Sequence, residues 1–241
     1  AFNLNHCLAP SDEISSCDAL LRSDVYRVML AVFAALALLG NVSSLLYRVV
    51  SKVASNSGFA VFVTHLCVSD LLMGVYLATI GVADRLYLGT YLWQDTTWKA
   101  STACQVAGFL SLLSSEVSAF LICLITLDRF LVLRFPFSQL HFHPRSAHVA
   151  CAVLWCVGLS LAAVPLLPAT QHWHYYSQTG ICIPLPITRK AFGGQRYSFS
   201  IIIVLNFVLF LLIAVGQLVI YWSIRTNSMS SADTSRKSKD L

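Results

Sequence analysis

Residues 103–129 read ACQVAGFLSLLSSEVSAFLICLITLDR, and this stretch decides the fold. From Ala103 to Leu127 the only charged side chain is Glu116, and the run closes on Asp128-Arg129. About 20 apolar residues in a helix cross about 30 Å of hydrocarbon, so the stretch is long enough to span a bilayer. It lacks the polar–apolar alternation of a barrel strand. Lipid offers the backbone no hydrogen-bond partners, so the run must be a helix.

Four more runs of this kind flank it. They are Val28–Tyr47, between Arg27 and Arg48; Phe59–Ala83, with Asp70 inside; Ala147–Leu167, ending among Pro165 and Pro168; and Tyr197–Ile224, with no charge between Arg196 and Arg225. Composition agrees: 57% of the 241 residues are apolar and 11% are charged, against about 25% charged in soluble domains. So few charges cannot clothe a water-facing surface of this size. An ordinary soluble enzyme, a disordered chain and a nucleic-acid binder are excluded; the net charge of +5 is modest and the apolar part holds no basic run. The expected fold is an all-α membrane protein with five transmembrane helices. The chain begins with Ala1 rather than Met, and its first run, about twenty residues, is too long for a signal h-region of about 7–15.

Five crossings put the termini on opposite sides. The segments holding Arg48, Lys52, Arg129, Arg134, Arg145 and the tail from Arg225 carry nine Lys/Arg, and the opposite set carries seven. The positive-inside rule then places the C-terminus in the cytoplasm and the N-terminus outside. Cys7, Cys17, Cys104 and Cys182 fall in the segments assigned outside, whereas Cys67, Cys123, Cys151 and Cys156 fall within runs. Disulfides need an oxidising compartment, which agrees with that orientation; four unrelated thiols are the alternative. The glycosylation triplet Asn41-Val42-Ser43 lies inside the first run and reads as a chance match.

An ionisable side chain within a span costs about 2.5–3.5 kcal/mol on insertion scales, so each needs a reason. Asp70 is read as an ion- or water-linked switch or as a protonated structural carboxyl, with Asn41 as its amide partner. Glu116 is expected to be satisfied by Ser114, Ser115 and Ser118, or to be functional. Asp128-Arg129 is either an anchoring ion pair or a switch. His141, His143 and His148, and the pair His172 and His174, lack companion ligands and read as solvated loop histidines, so no metal is expected. Trp93, Trp98, Trp173 and Trp222, with Tyr87, Tyr91, Tyr175 and Tyr176, read as an interfacial aromatic belt. No H-E-x-x-H, G-x-S-x-G or paired aspartates occur, so no enzyme is expected.

In order along the chain stand Gly40-Asn41, Leu66 with Ser69-Asp70-Leu71, Cys104, Asp128-Arg129-Phe130, Trp155, Cys182 and Tyr221. This series resembles the motifs of the rhodopsin-like (family A) G-protein-coupled receptors. The stretches Cys67–Leu77, Ser114–Ser118, Ile125–Arg129, Phe135-Pro136-Phe137 and Thr179–Leu185, and a fifth span holding Asn206 but no proline, are most similar to the receptors with leucine-rich-repeat ectodomains, above all the relaxin receptors. Those usually carry Glu-Lys-Tyr where this chain has Asp128-Arg129-Phe130. The resemblance covers nearly the whole chain.

It implies five helices of a seven-helix bundle, a fragment without spans six and seven. Residues 1–24 would be an extracellular hinge, 25–225 the membrane helices and 226–241 the start of the third intracellular loop. It implies a disulfide between Cys104 and Cys182, with Cys7 and Cys17 paired to the hinge or to repeats. Asp128, Arg129, Phe130 and Tyr221 would form the G-protein switch, and Asp70 with Asn41 would hold a sodium ion or waters. The implied partners are an extracellular peptide or protein hormone, a heterotrimeric G protein, the lipid bilayer and a second receptor copy; the implied location is the plasma membrane. The rival is a five-span transporter or channel subunit with Asp70 and Glu116 lining a polar path.

Overall fold

The computed structural model describes residues 14–52, 57–135, 142–183 and 193–237. Helix α1 is Asp24–Val50, α2 is Gly58–Leu86, α3 is Tyr91–Ala100, α4 is Thr102–Arg134 and α5 is Pro144–Ala163. A last long helix begins as α6, Gln195–Ser198, passes through a π turn at Phe199–Leu205 and continues as α7, Asn206–Lys237. Among the described residues, five helices are long and apolar enough to cross a membrane, at the five expected places.

Local chemistry sets the starts. Ser23, Ser57 and Ser101 each precede a long helix, and their hydroxyls accept from the amides of Val25, Ala60 and Cys104. Such caps satisfy amides that the first turn leaves without partners. Helix α5 opens on Pro144, whose missing N–H costs nothing at that position.

The central helix is α4, packed against α2, α5 and α7, while α1 lies on α2. Small residues let these helices close up. A Cβ on Gly158 would stand 2.5 Å from the Val117 methyl, and one on Gly216 would stand 2.6 Å from that of Thr126. A Cβ on Gly40 would meet nothing within 4 Å. Gly158→Ala is therefore expected to lower stability by about 1–3 kcal/mol through overpacking. Gly40→Ala should be neutral or stabilising, because the helix loses a flexible residue. Paired melting curves in one detergent check the contrast.

Three regions depart from expectation. The segment after α2, read as loop, contains α3, whose Tyr91 and Trp98 lie seven residues apart on one buried face. Residues 226–237, read as loop, continue α7, since neither glycine nor proline follows Gly216 to stop it. The part of the expected hinge that is described, residues 14–23, packs onto the bundle with Leu20 fully buried. Residues 1–13 with Cys7, as well as Pro136, Phe137, His141, Pro184 and Leu185, lie outside the described residues.

The aromatic belt is also corrected. Trp98, Tyr91, Tyr175 and Tyr176 are at most 4% exposed. Their polar atoms are used inside: Trp98 Nε1 donates to Gly180 O at 2.7 Å, and Tyr176 Oη donates to Ala162 O at 2.8 Å. They build a cap over one end of the bundle. Trp93 and Trp222 remain exposed.

Candidate functional site

Helix α4 strings the polar residues between the two ends of the bundle. At one end Cys104 is disulfide-bonded to Cys182, with Cα atoms 5.4 Å apart. Gly108, one turn further on, is where the loop presses in: a Cβ there would stand 2.5 Å from Cys182 O and would collide with the Tyr176 ring. Tyr76 Oη donates to Ile181 O at 2.9 Å, tying the same loop to α2. Cys17 is disulfide-bonded too.

This end also holds a buried charge that the sequence did not flag. Asp84, 2% exposed, accepts from Leu21 N at 2.8 Å and from Arg27 Nε at 2.7 Å. Arg27 donates further to Leu21 O and pairs with Asp24. Asp84 follows directly on the run that ends at Ala83, outside the charges that a span would make conspicuous. The available signal was Arg27 at the matching end of the preceding run.

Burial pushes the Tyr175 and Tyr176 phenols up from their ordinary value. Un-ionised in the fold, they ionise in the unfolded chain above about pH 10. Their contribution to stability is thus complete below that pH and falls as pH rises through the range above it. Melting temperature should fall more between about pH 9 and about pH 11 in the parent than in Tyr175→Phe/Tyr176→Phe.

Midway along α4, Ser118 Oγ donates to Asp70 Oδ1 at 2.7 Å and lies 3.0 Å from Ser69 Oγ. Ser69 Oγ donates to Ser114 O at 3.0 Å. This knot binds α2 to α4. Asn41, expected beside Asp70, instead donates to Ala37 O at 2.8 Å, one turn back on its own helix. An amide with a carbonyl four residues behind it has a local partner that costs little entropy to reach.

Glu116 is fully buried, and the nearby serines do not serve it as expected: Ser114 donates to Ser111 O and Ser118 to Asp70. Its Oε1 accepts from Asn206 Nδ2 at 2.8 Å, while Oε2 is buried without a partner. The same Asn206 nitrogen donates to Ile201 O at 3.2 Å, five residues back. Asn206 thus spans the π turn that interrupts the last helix in the absence of proline, a common device near functional sites. Asp70 and Glu116 are held by separate partners.

At the other end of α4, Asp128 is 4% exposed and its Oδ2 stands 3.9 Å from Arg129 Nε. That is close enough for attraction but too far for a hydrogen bond. The Arg129 guanidinium lies over the Phe59 ring, 3.6 Å from its centroid. Tyr221, on α7, is 55% exposed and accepts from Arg225 Nη1 at 3.3 Å. Nearby, Trp155 Nε1 donates to His65 Nδ1 at 3.2 Å, and His148, read as a loop residue, stacks edge-on against His65 from α5. No group of three or more His, Cys, Asp or Glu able to hold a metal occurs among the described residues.

A central helix with a disulfide at one end, a buried carboxylate at mid-depth and an Asp-Arg pair at the other defines a receptor bundle. Residues 22–240 match the family of 7 transmembrane receptors of the rhodopsin type, and the chain belongs to that family, a multi-pass membrane protein. It is 35% identical over 242 aligned positions to G-protein coupled receptor GRL101 of Lymnaea stagnalis, covering 97% of this chain and 22% of that protein. It is 32% identical to human Relaxin receptor 2, covering 94% of this chain and 30% of the relative. Against Leucine-rich repeat-containing G-protein coupled receptor 5 of Rattus norvegicus it is 27% identical, covering 93% of this chain and 24% of the relative. The chain therefore spans about a fifth to a third of the length of these relatives. The transporter alternative is not favoured.

Proposed function

We propose that this chain is the membrane domain of a peptide-hormone receptor of the leucine-rich-repeat group, passing an extracellular binding event to an intracellular G protein. It lies in the plasma membrane with the disulfide end and N-terminus outside and the Arg129 end in the cytoplasm. The observation that carries the reading is Arg129 itself: a cation beside a buried carboxylate, yet without a hydrogen bond to it. A charge held loosely is ready to exchange partners. Physically the bundle is a two-state device whose equilibrium the outer ligand biases. Asp128 and Arg129 form the switch, with Phe130 beside them, and Tyr221 supports the active arrangement.

The knot of Asp70, Ser69 and Ser118 ties α2 to α4 midway between the two ends. Its carboxylate and hydroxyl oxygens are the hard donors that sodium takes, so the residues fit such an ion. Bound there, sodium would offset the charge of Asp70. Asn41 supports this region through its helix rather than by direct contact.

Arg129→Ala in the whole receptor is expected to abolish hormone-stimulated second-messenger output, a fall of at least about tenfold, at unchanged surface abundance and hormone binding. A full response from that variant would remove the switch from the scheme.

A further inference from the structure

We infer that Phe59 is a positioning residue for the proposed switch: its ring, rather than the Asp128 carboxylate, holds Arg129 at rest. The inference rests on the receptor reading and adds a residue to it. At 3.9 Å the Asp128 oxygen forms no hydrogen bond with Arg129 Nε, and that nitrogen is buried without any partner. What the guanidinium does meet is the face of Phe59, at 3.6 Å. A ring face carries negative potential, so a cation over it at this distance is attracted; Phe59 is 37% and the Arg129 side chain 42% exposed, which keeps the attraction modest and the arginine free to leave. Planar guanidinium suits such stacking better than ammonium does.

The backbone that carries the ring is held. Phe59 lies in the first turn of α2, next to the Ser57 cap, whose hydroxyl accepts from Ala60 N at 3.2 Å. Its neighbour Gly58 backs onto Phe142, just before α5, where a Cβ would collide with the Phe142 carbonyl. Movement of Phe142 would thus press on the first turn of α2, which carries the ring, and so reach the arginine. Arg129 can leave without breaking a buried hydrogen bond, since it makes none through Nε.

A contact present only at rest shifts the two-state balance by its whole strength when removed. In the whole receptor, Phe59→Leu, close in volume but without a ring face, is expected to raise basal second-messenger output about two- to fivefold at equal surface abundance. Phe59→Tyr and Phe59→Trp should keep basal output at the parent level, which a merely space-filling role would not require. In the chain held in lipid nanodiscs with isotope-labelled arginine, the Arg129 side-chain resonances should carry an upfield ring shift that Leu abolishes and Tyr retains. Basal output in Phe59→Leu equal to the parent's, an equal rise in Phe59→Tyr, or an absent ring shift would each overturn the inference. If the ring shift is present but the parent and every variant are silent with all G proteins tried, the receptor reading falls and the inference falls with it. The spectra distinguish that case from failure of the contact.

Discussion

Alanine in place of Asp84 is expected to destabilise the folded chain by about 3 kcal/mol, the low end of the range for breaking a buried ion pair. The carboxylate has two duties at once. One oxygen receives the Leu21 amide and the other receives Arg27 Nε. Removing it leaves a buried amide unpaired, at about 1–3 kcal/mol, and a guanidinium that is 19% exposed without its main counter-charge. The remaining counter-charge, Asp24, is 90% exposed, so Arg27 can recover some solvation by turning toward it. That escape is why the expected loss sits at the low end.

Asp84→Asn keeps an acceptor for the Leu21 amide but not the charge, and should fall between alanine and the parent. Arg27→Met combined with Asp84→Leu should cost less than Asp84→Ala alone, because an apolar pair leaves no charge stranded. Apparent melting temperatures of the four proteins in one detergent decide it, with Asp95→Ala, which removes the 2.8 Å pair between Asp95 and Lys99 within α3, as a control for loss of a different ion pair. A loss below about 1 kcal/mol in Asp84→Ala would mean that Arg27 is simply solvated at the membrane surface.

The same aspartate shows what the sequence could and could not reveal. Bilayer physics writes span positions plainly, because apolar runs must be long and charges within them rare. All five runs became helices for that reason. A charge closing a run, however, can face water or fold back into protein, and nothing local distinguishes the two. Asp84 folded back. Tyr91, Trp98 and Tyr176 posed the same ambiguity: amphipathic rings suit a lipid boundary and a wet protein cap equally well. Their partners lie far away in sequence, as Trp98 and Gly180 do.

Among the candidate site residues, Cys104 and Cys182 are bonded as the family resemblance implied. Asp70 and Asp128-Arg129 stood out because lone charges in apolar runs are conspicuous. Of their actual partners, Ser118 was expected at Glu116 rather than at Asp70, and Phe59 did not stand out, since phenylalanine is ordinary in such helices. Asn206 was visible as a polar residue in a run without proline. Its link to Glu116, across 90 positions, was not.

Replacing Cys104 and Cys182 together with serine is expected to loosen the capping loop by about 3 kcal/mol while leaving the membrane helices assembled. Chain-entropy reasoning applied to the 78-residue separation would give about 4.5 kcal/mol. That separation overstates the freedom gained. α4 and α5 are packed against each other, so the bond closes only the stretch of roughly sixteen residues from Leu166 to Cys182, for which the same relation gives about 3 kcal/mol. Even that stretch stays tethered through Tyr176 to Ala162 and through Trp98 to Gly180. Hydrogen exchange in the double-serine chain should therefore rise across residues 170–183 and in α3, and stay at parent levels in α2 and in α4 beyond Gly108. Protection lost throughout α4 would mean that the bond holds the bundle itself, and that packing around Val117 and Gly158 does not suffice to keep the helices together.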